Sequence, residues 1–178
     1  MRHKSLVLLA TVIVALVAGL ALLAACQPQE YDLSFETIER RDSSGTGEYY
    51  EDKGPRLVVI AKASEADALG NTVSLDAQAQ LRNLDFDRYF VIAVFQGWRP
   101  EIPTPQSGAE VYRISRNGNT VTIYTHLYEP VEGHARLPVS NSPYHLVKVR
   151  REEDMRGELE FVLSIDGLGV VRQTHSIP

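Results

Sequence analysis

The amino-acid sequence predicts a mainly β domain: an antiparallel, β-sandwich-like single domain with one or two short helices, placed behind an N-terminal export segment. Three observations carry this expectation. Short apolar, β-branched runs recur along the chain, among them "RLVVIAK" at 56 to 62, "RYFVIAVFQ" at 88 to 96 and "YHLVKVR" at 144 to 150. Asn117-Gly118 and Asp166-Gly167 each split a pair of such runs, as hairpin turns do. Strands do not alternate with long helical patterns, so nothing points to a βαβ fold.

The N-terminus comes first. Met1-Arg2-His3-Lys4 is followed by an apolar run from Leu6 to Ala25. A basic end before such a run is an export signal or a membrane anchor, and about 20 apolar residues can cross a bilayer. The run ends Leu23-Ala24-Ala25-Cys26, with the only cysteine of the 178 residues last. Small side chains suit a peptidase cleft, and a thiol behind the cut offers a nucleophile for a thioether to diacylglycerol. The segment resembles the lipobox of bacterial lipoprotein signal peptides. The expectation is a signal peptide over residues 1–25, a lipidated Cys26 with its tether over 26–32, and a β-rich domain over 33–178. The domain then sits on the extracytoplasmic face of the cell membrane, anchored by lipid. The alternative is an uncleaved membrane anchor with an incidental cysteine. With Cys26 carrying lipid, the domain has no disulfide, although the compartment permits one, and its core alone must hold it.

Charge narrows the partners. The chain carries a net charge of -5. Removing Arg2 and Lys4 with the signal leaves 16 basic against 23 acidic residues, a net -7. That argues against nucleic acid, which asks for a basic face. It also offers no polybasic help at an anionic membrane, so attachment is expected to rest on the lipid chains.

Within the domain, residues 33 to 41 alternate weakly and read as a first strand, and 41 to 55 as a polar loop. Residues 56 to 62 read as a buried strand. Ser64 opens an S-x-x-D pattern that looks like a helix start. Residues 75 to 84 are the best helix, with Ser74 as cap, Asp76 at the positive end of the dipole, and Ala77, Leu81 and Leu84 on one face. The run 88 to 96 is too continuous for a half-exposed strand and reads as central. "VYRISRNGNTVTIYTHLY" reads as a hairpin with Asn117-Gly118 in a type I′ turn, pairing Arg116 with Asn119. That register sets Ile114 against Val121 and Tyr112 against Ile123 on the core side. Arg113, Ser115, Thr120, Thr122 and Tyr124 fall on the other side. A closing hairpin around Asp166-Gly167 puts Leu159, Phe161, Leu163 and Ile165 on one face.

Chemistry is sparse. His126, His134, His145 and His175 are scattered without metal-site spacing and read as surface residues. No nucleophile elbow and no phosphate-cradling glycine loop is visible. The expectation is no catalytic residue, no metal and no cofactor: a binding module rather than an enzyme. Two proline-stiffened loops stand out. Residues 97 to 108 carry Trp98, the only tryptophan, and Arg99; residues 129 to 143 carry His134 and Arg136. Strand directions bring both loops to the end opposite the Asn-Gly turn. Tryptophan and arginine are enriched at interface hot spots, so Trp98, Arg99, His134 and Arg136 are the expected partner-binding residues. The competing view is that Trp98 plugs the core and the prolines only bar strand extension.

The order of features also resembles a known family. A polar "SSGTGE" loop leads to "LVVIAKASEADAL", then to "YFVIAVFQGWRP", "VYRISRNGNTVTIYTHLYEP" and "SPYHLVKVRR". This is similar to the C-terminal domain of the PrcB family, bacterial protease-complex-associated proteins, over roughly residues 33 to 152. The family's Gly-Gly-Tyr-like turn before the hairpin is missing, and "PTPQSGAEVY" stands there instead. The resemblance implies a non-enzymatic, extracytoplasmic protein-interaction domain that associates with or stabilises a protease. The rival expectations are a chagasin-like β-sandwich protease inhibitor, a hydrolase with a dispersed site, and a solute-binding lipoprotein.

Overall fold

The structure, a computed structural model, describes residues 29–41, 54–97, 99–100, 108–128 and 140–178; of Arg99, Pro100, Ser140, Asn141 and Val170 it describes the backbone alone. The fold is mainly β, as the runs and turns predict. In chain order the strands are β1 (Tyr31–Asp32), β2 (Phe35–Arg41), β3 (Arg56–Ile60), β4 (Tyr89–Phe95), β5 (Arg99–Pro100), β6 (Gly108–Asn117), β7 (Thr120–Tyr128), β8 (Ser140–Asn141), β9 (Tyr144–Arg150), β10 (Gly157–Ile165) and β11 (Leu168–Ile177). A five-stranded sheet has the order β1-β6-β7-β10-β11, and a four-stranded sheet the order β2-β9-β4-β3. The two-residue strands β5 and β8 pair with each other. Among the described residues all pairings are antiparallel except β7 with β10, which run parallel.

The two sheets enclose one core. Phe90, Ile92 and Val94 of β4 and Val147 and Val149 of β9 meet Ile114, Val121, Ile123, Phe161 and Leu163 of the five-stranded sheet. Phe90 and Phe161 cross the gap edge to face, with ring centroids 5.9 Å apart. The alternate residues of β4, Val91, Ala93 and Phe95, face the other way into a second cluster with Leu69, Val73, Ala77 and Leu81. This explains the unbroken apolar run: β4 is covered on one face by a sheet and on the other by helices. A strand buried on both faces has no polar side to alternate with.

The helical layer is a 3-10 segment (Ala63–Thr72) followed by α1 (Leu75–Arg82). Ser74 caps α1 as expected, its hydroxyl accepting from the Ala77 amide at 3.0 Å. Ser64 is not a cap. It lies inside the 3-10 segment, whose N-terminal flank is Lys62, and Glu65 reaches back to accept the Ala61 amide at 2.8 Å.

Four further expectations are corrected. Tyr31 and Asp32, read as tether, form β1 and pair with Arg116 and Ser115. The first hairpin turns one residue later than predicted: Asn117 pairs with Thr120, and Gly118 takes φ 58° while Asn119 does not turn positive. Positive φ at the first central residue alone is the type II′ pattern, which glycine suits. Moving the loop by one residue changes every partner by two, so Ile114 now faces Ile123 and both stay in the core. Tyr112 does not. It is the extra residue of a β-bulge between Val111 and Arg113, which turns it outward to 44% exposure. Lastly, His145 is buried and His175 half-buried, rather than on the surface. The second hairpin turns at Asp166-Gly167, both with positive φ, and Leu159, Phe161 and Leu163 are in the core as predicted.

Candidate functional site: an aromatic face beside two paired loops

The bulge at Tyr112 and the two-residue period of β7 set four rings on the outer face of the five-stranded sheet. Tyr124, His126 and Tyr128 alternate with the buried or half-buried Ile123, Thr125 and Leu127. Tyr112 stacks on His126 with centroids 4.2 Å apart and planes 15° apart. Tyr124 lies 6.2 Å from Tyr112, and Tyr128 lies 6.1 Å from His126. Tyr112 and His126 come from neighbouring strands. Only the Tyr112–His126 pair is stacked face to face; the Tyr124 plane is tilted 46° to Tyr112 and the Tyr128 plane 56° to His126, so the row is not one flat platform.

Charged groups fix the row. The Arg113 guanidinium lies 4.8 Å over the Tyr124 ring, and its Nε donates to Asp32 Oδ1 at 2.7 Å. Tyr128 donates its hydroxyl to Glu110 Oε2 at 2.6 Å, and Arg40 pairs with Glu110 Oε1 at 3.2 Å. The Tyr128 hydroxyl, aided by Arg40, holds the Glu110 carboxyl below its ordinary range. The same bond holds the Tyr128 phenol above its ordinary range. His126 Nδ1 lies 3.2 Å from Asp166 Oδ1. Aromatic bodies with fixed polar tips bury large area at little entropic cost, which is the composition of protein-recognition surfaces.

The row runs toward the end where the two loops begin. Gln96, just after β4, donates its amide side chain to the Tyr128 carbonyl at 3.1 Å, and its backbone amide to the Pro143 carbonyl at 2.8 Å. A few residues on, β5 and β8 pair Arg99 with Asn141 and Pro100 with Ser140. The backbone of the first loop is thus hydrogen-bonded to that of the second. Of the expected partner-binding residues, Arg99 is described by this backbone pairing only. Trp98, His134 and Arg136 lie outside the described residues, as does Cys26. The ring row itself was within reach of sequence reasoning: Tyr124, His126 and Tyr128 are spaced by two on the strand's polar side. The bulge that adds Tyr112 leaves no sequence signal of its own.

A second cluster is structural. His145 sits on the inner face of β9, and its Nδ1 accepts the Val111 amide at 2.8 Å beside the bulge. A donor at Nδ1 leaves the proton on Nε2, which faces Thr37 Oγ1 at 2.8 Å. Burial, with Arg40 nearby, pushes the His145 pKa down to about 4, against a smaller upward pull from Glu110. Glu39 Oε2 accepts from the Tyr144 hydroxyl at 2.5 Å and the Ser74 hydroxyl at 2.7 Å, tying the α1 cap to the four-stranded sheet. Burial, then the bond to Glu39, pushes the Tyr144 pKa up to about 12.

Among the described residues, no three His, Cys, Asp or Glu side chains are placed to hold a metal ion. No described helix is long and apolar enough to cross a membrane. Compared with models of known protein families, with curated proteins and with solved structures, the chain gives no significant match.

Proposed function

We propose that this chain is a lipid-anchored, extracytoplasmic protein-binding module, tethered through Cys26 and engaging its partner with the ring row and the two paired loops beside it. The observation that carries the reading is the row Tyr112, His126, Tyr124 and Tyr128, held in place by Arg113 and Glu110 on a rigid sheet. Tyr112 and Tyr128 are exposed and Tyr124 and His126 half-buried, and open aromatic surface of this kind is used where a partner covers it. The rings do not share one plane, which disfavours a flat sugar platform and suits a protein surface, whose side chains can insert between them. The resemblance to the PrcB family supports a protease or its complex as the partner. The pairing of the two loops at one sandwich end favours one second reading, a chagasin-like inhibitor. Association leaves protease turnover intact or raised, whereas inhibition abolishes it.

Two measurements test the proposal. Membranes are cross-linked with the tethered protein present, and the captured partner is titrated against variants. Tyr124→Ala with Tyr128→Ala should weaken capture at least tenfold, about 1.4 kcal/mol. Trp98→Ala and Arg99→Ala should each do the same, while Asn119→Ala at the opposite end leaves capture unchanged. Unchanged capture by folded Tyr124/Tyr128 variants rejects the site. For the anchor, the intact mass of the membrane form should lack residues 1–25 and carry acyl mass on Cys26, and Cys26→Ser should lose that mass. A native protein that retains Met1 contradicts it.

A further inference from the structure

The tether enters the domain at the end opposite the paired loops. Tyr31 of β1 pairs with Arg116, beside the Gly118-Asn119 turn. Its hydroxyl donates to Glu152 Oε2 at 2.6 Å and accepts from Arg116 Nη1 at 3.1 Å, and Arg116 also donates to Asp154 Oδ1 at 2.8 Å. The segment after β9 is therefore fastened to the first residue of the first strand. That segment and the start of β4 form a cleft of about 250 Å3, lined in part by Arg88, Arg150, Arg151 and Arg156. Arg151 is committed to the fold, donating to main-chain oxygens of Tyr89, Pro178 and Ala61. Arg88, Arg150 and Arg156 are exposed, and among the described residues none of the three is paired with a carboxylate. The acids of the cleft are Asp87, Glu152 and Glu153, of which Glu152 holds the Tyr31 hydroxyl.

Cys26 lies five residues before Tyr31, a covalent reach of at most about 18 Å. If Cys26 carries the lipid, the arginine end can never leave the neighbourhood of the bilayer surface. We propose that this cleft docks phospholipid headgroup phosphates through Arg88, Arg150 and Arg156, holding the domain upright with its ring row and loops directed away from the membrane. The inference rests on the lipidation of Cys26 proposed above. Planar guanidinium forks match phosphate oxygens in pairs. Charges more than about 8–10 Å from the surface are screened at physiological salt, so the negative net charge of the mature chain acts here through Asp87, Glu152 and Glu153, against which Arg88, Arg150, Arg151 and Arg156 stand in the same cleft.

Arginine labelling reads this directly. The full-length acylated protein is placed in phosphatidylglycerol–phosphatidylcholine vesicles, in phosphate-free glycolipid vesicles, and in non-ionic detergent, then treated with phenylglyoxal. The rates at Arg88, Arg150 and Arg156 are read by peptide mass, with exposed Arg82 and Arg172 as internal references. The three should react at least about threefold more slowly in phospholipid vesicles than in glycolipid or detergent, and high salt should reverse the protection. Equal rates in the three settings overturn the proposal. So does equal protection by inorganic phosphate in detergent, which would make the cleft a small-anion site. Flotation with the vesicles but no protection rejects the cleft alone; failure to float rejects the anchor. An Arg88→Gln/Arg150→Gln/Arg156→Gln variant should float normally and expose the loop end to bilayer-embedded quenchers that do not reach it in the parent protein.

Discussion

Ile123→Ala should destabilise the domain by about 2–5 kcal/mol, whereas Tyr112→Ala should cost no more than about 1 kcal/mol. Ile123 is fully buried and faces Ile114 across the hairpin, in a core to which both sheets contribute. Removing its branched side chain loses the transfer free energy and leaves a cavity between sheets that cannot collapse without breaking ladders. Tyr112 is the bulged residue, and its main loss is the stack on His126. Thr122, half-buried on the outer face, should also cost little when cut to alanine. Denaturant midpoints of the three variants decide this. Equal costs at Ile123 and Tyr112 would mean that the bulge is absent and the ring row is not a surface.

Mild acid should lower the stability of the domain through His145 before the carboxylates titrate. The His145 pKa is about 4 in the fold, against about 6.5 in the unfolded chain. The unfolded chain therefore binds the extra proton first. The stability held by the neutral ring is fully present above pH ~6.5, declines as pH falls, and is fully lost below pH ~4, a total of roughly 3 kcal/mol. The groups facing the ring are Arg40 and Glu110, with Thr37 and the Val111 amide as its hydrogen-bond partners. Glu39, Glu65 and Glu110 are all held below their ordinary range, so what they contribute begins to be lost near the ordinary carboxylate value of about 4.3 and goes on being lost as the pH falls through their lowered values. Unfolding midpoints at pH 7 and at about pH 4.5 should differ by most of that amount. His145→Asn, whose amide oxygen can still accept the Val111 amide, should flatten the slope between them. A slope that survives the substitution assigns it to another group.

How much of this was legible in the sequence follows from where each signal resides. β4 was legible because its run is unbroken, and α1 because Ser74, Ala77 and Leu81 carry cap and face together. Asp166-Gly167 announced its turn through two residues that tolerate positive φ. Asn117-Gly118 announced a turn but misplaced it by one residue, since glycine alone satisfies a type II′ turn and leaves Asn117 in the strand. The faces survived that error because the pairing slipped by two. What the sequence could not carry is what several segments make together. The parallel pairing of β7 with β10, the bulge that exports Tyr112, and the buried His145 all depend on contacts between distant segments. The arginine cleft was hidden for the same reason: net charge sums over the chain, while the cleft gathers arginines from two separate segments.

The central claim is that the ring row at the loop end is the face a protein partner covers. A photo-activatable phenylalanine analogue at position 124, in the acylated protein in its native membrane, tests it most directly. One discrete protein adduct is expected from position 124, competed away by excess unmodified domain, and none from the same probe at Asn119. Adducts from Asn119 alone, or the same diffuse labelling from both positions, would contradict it.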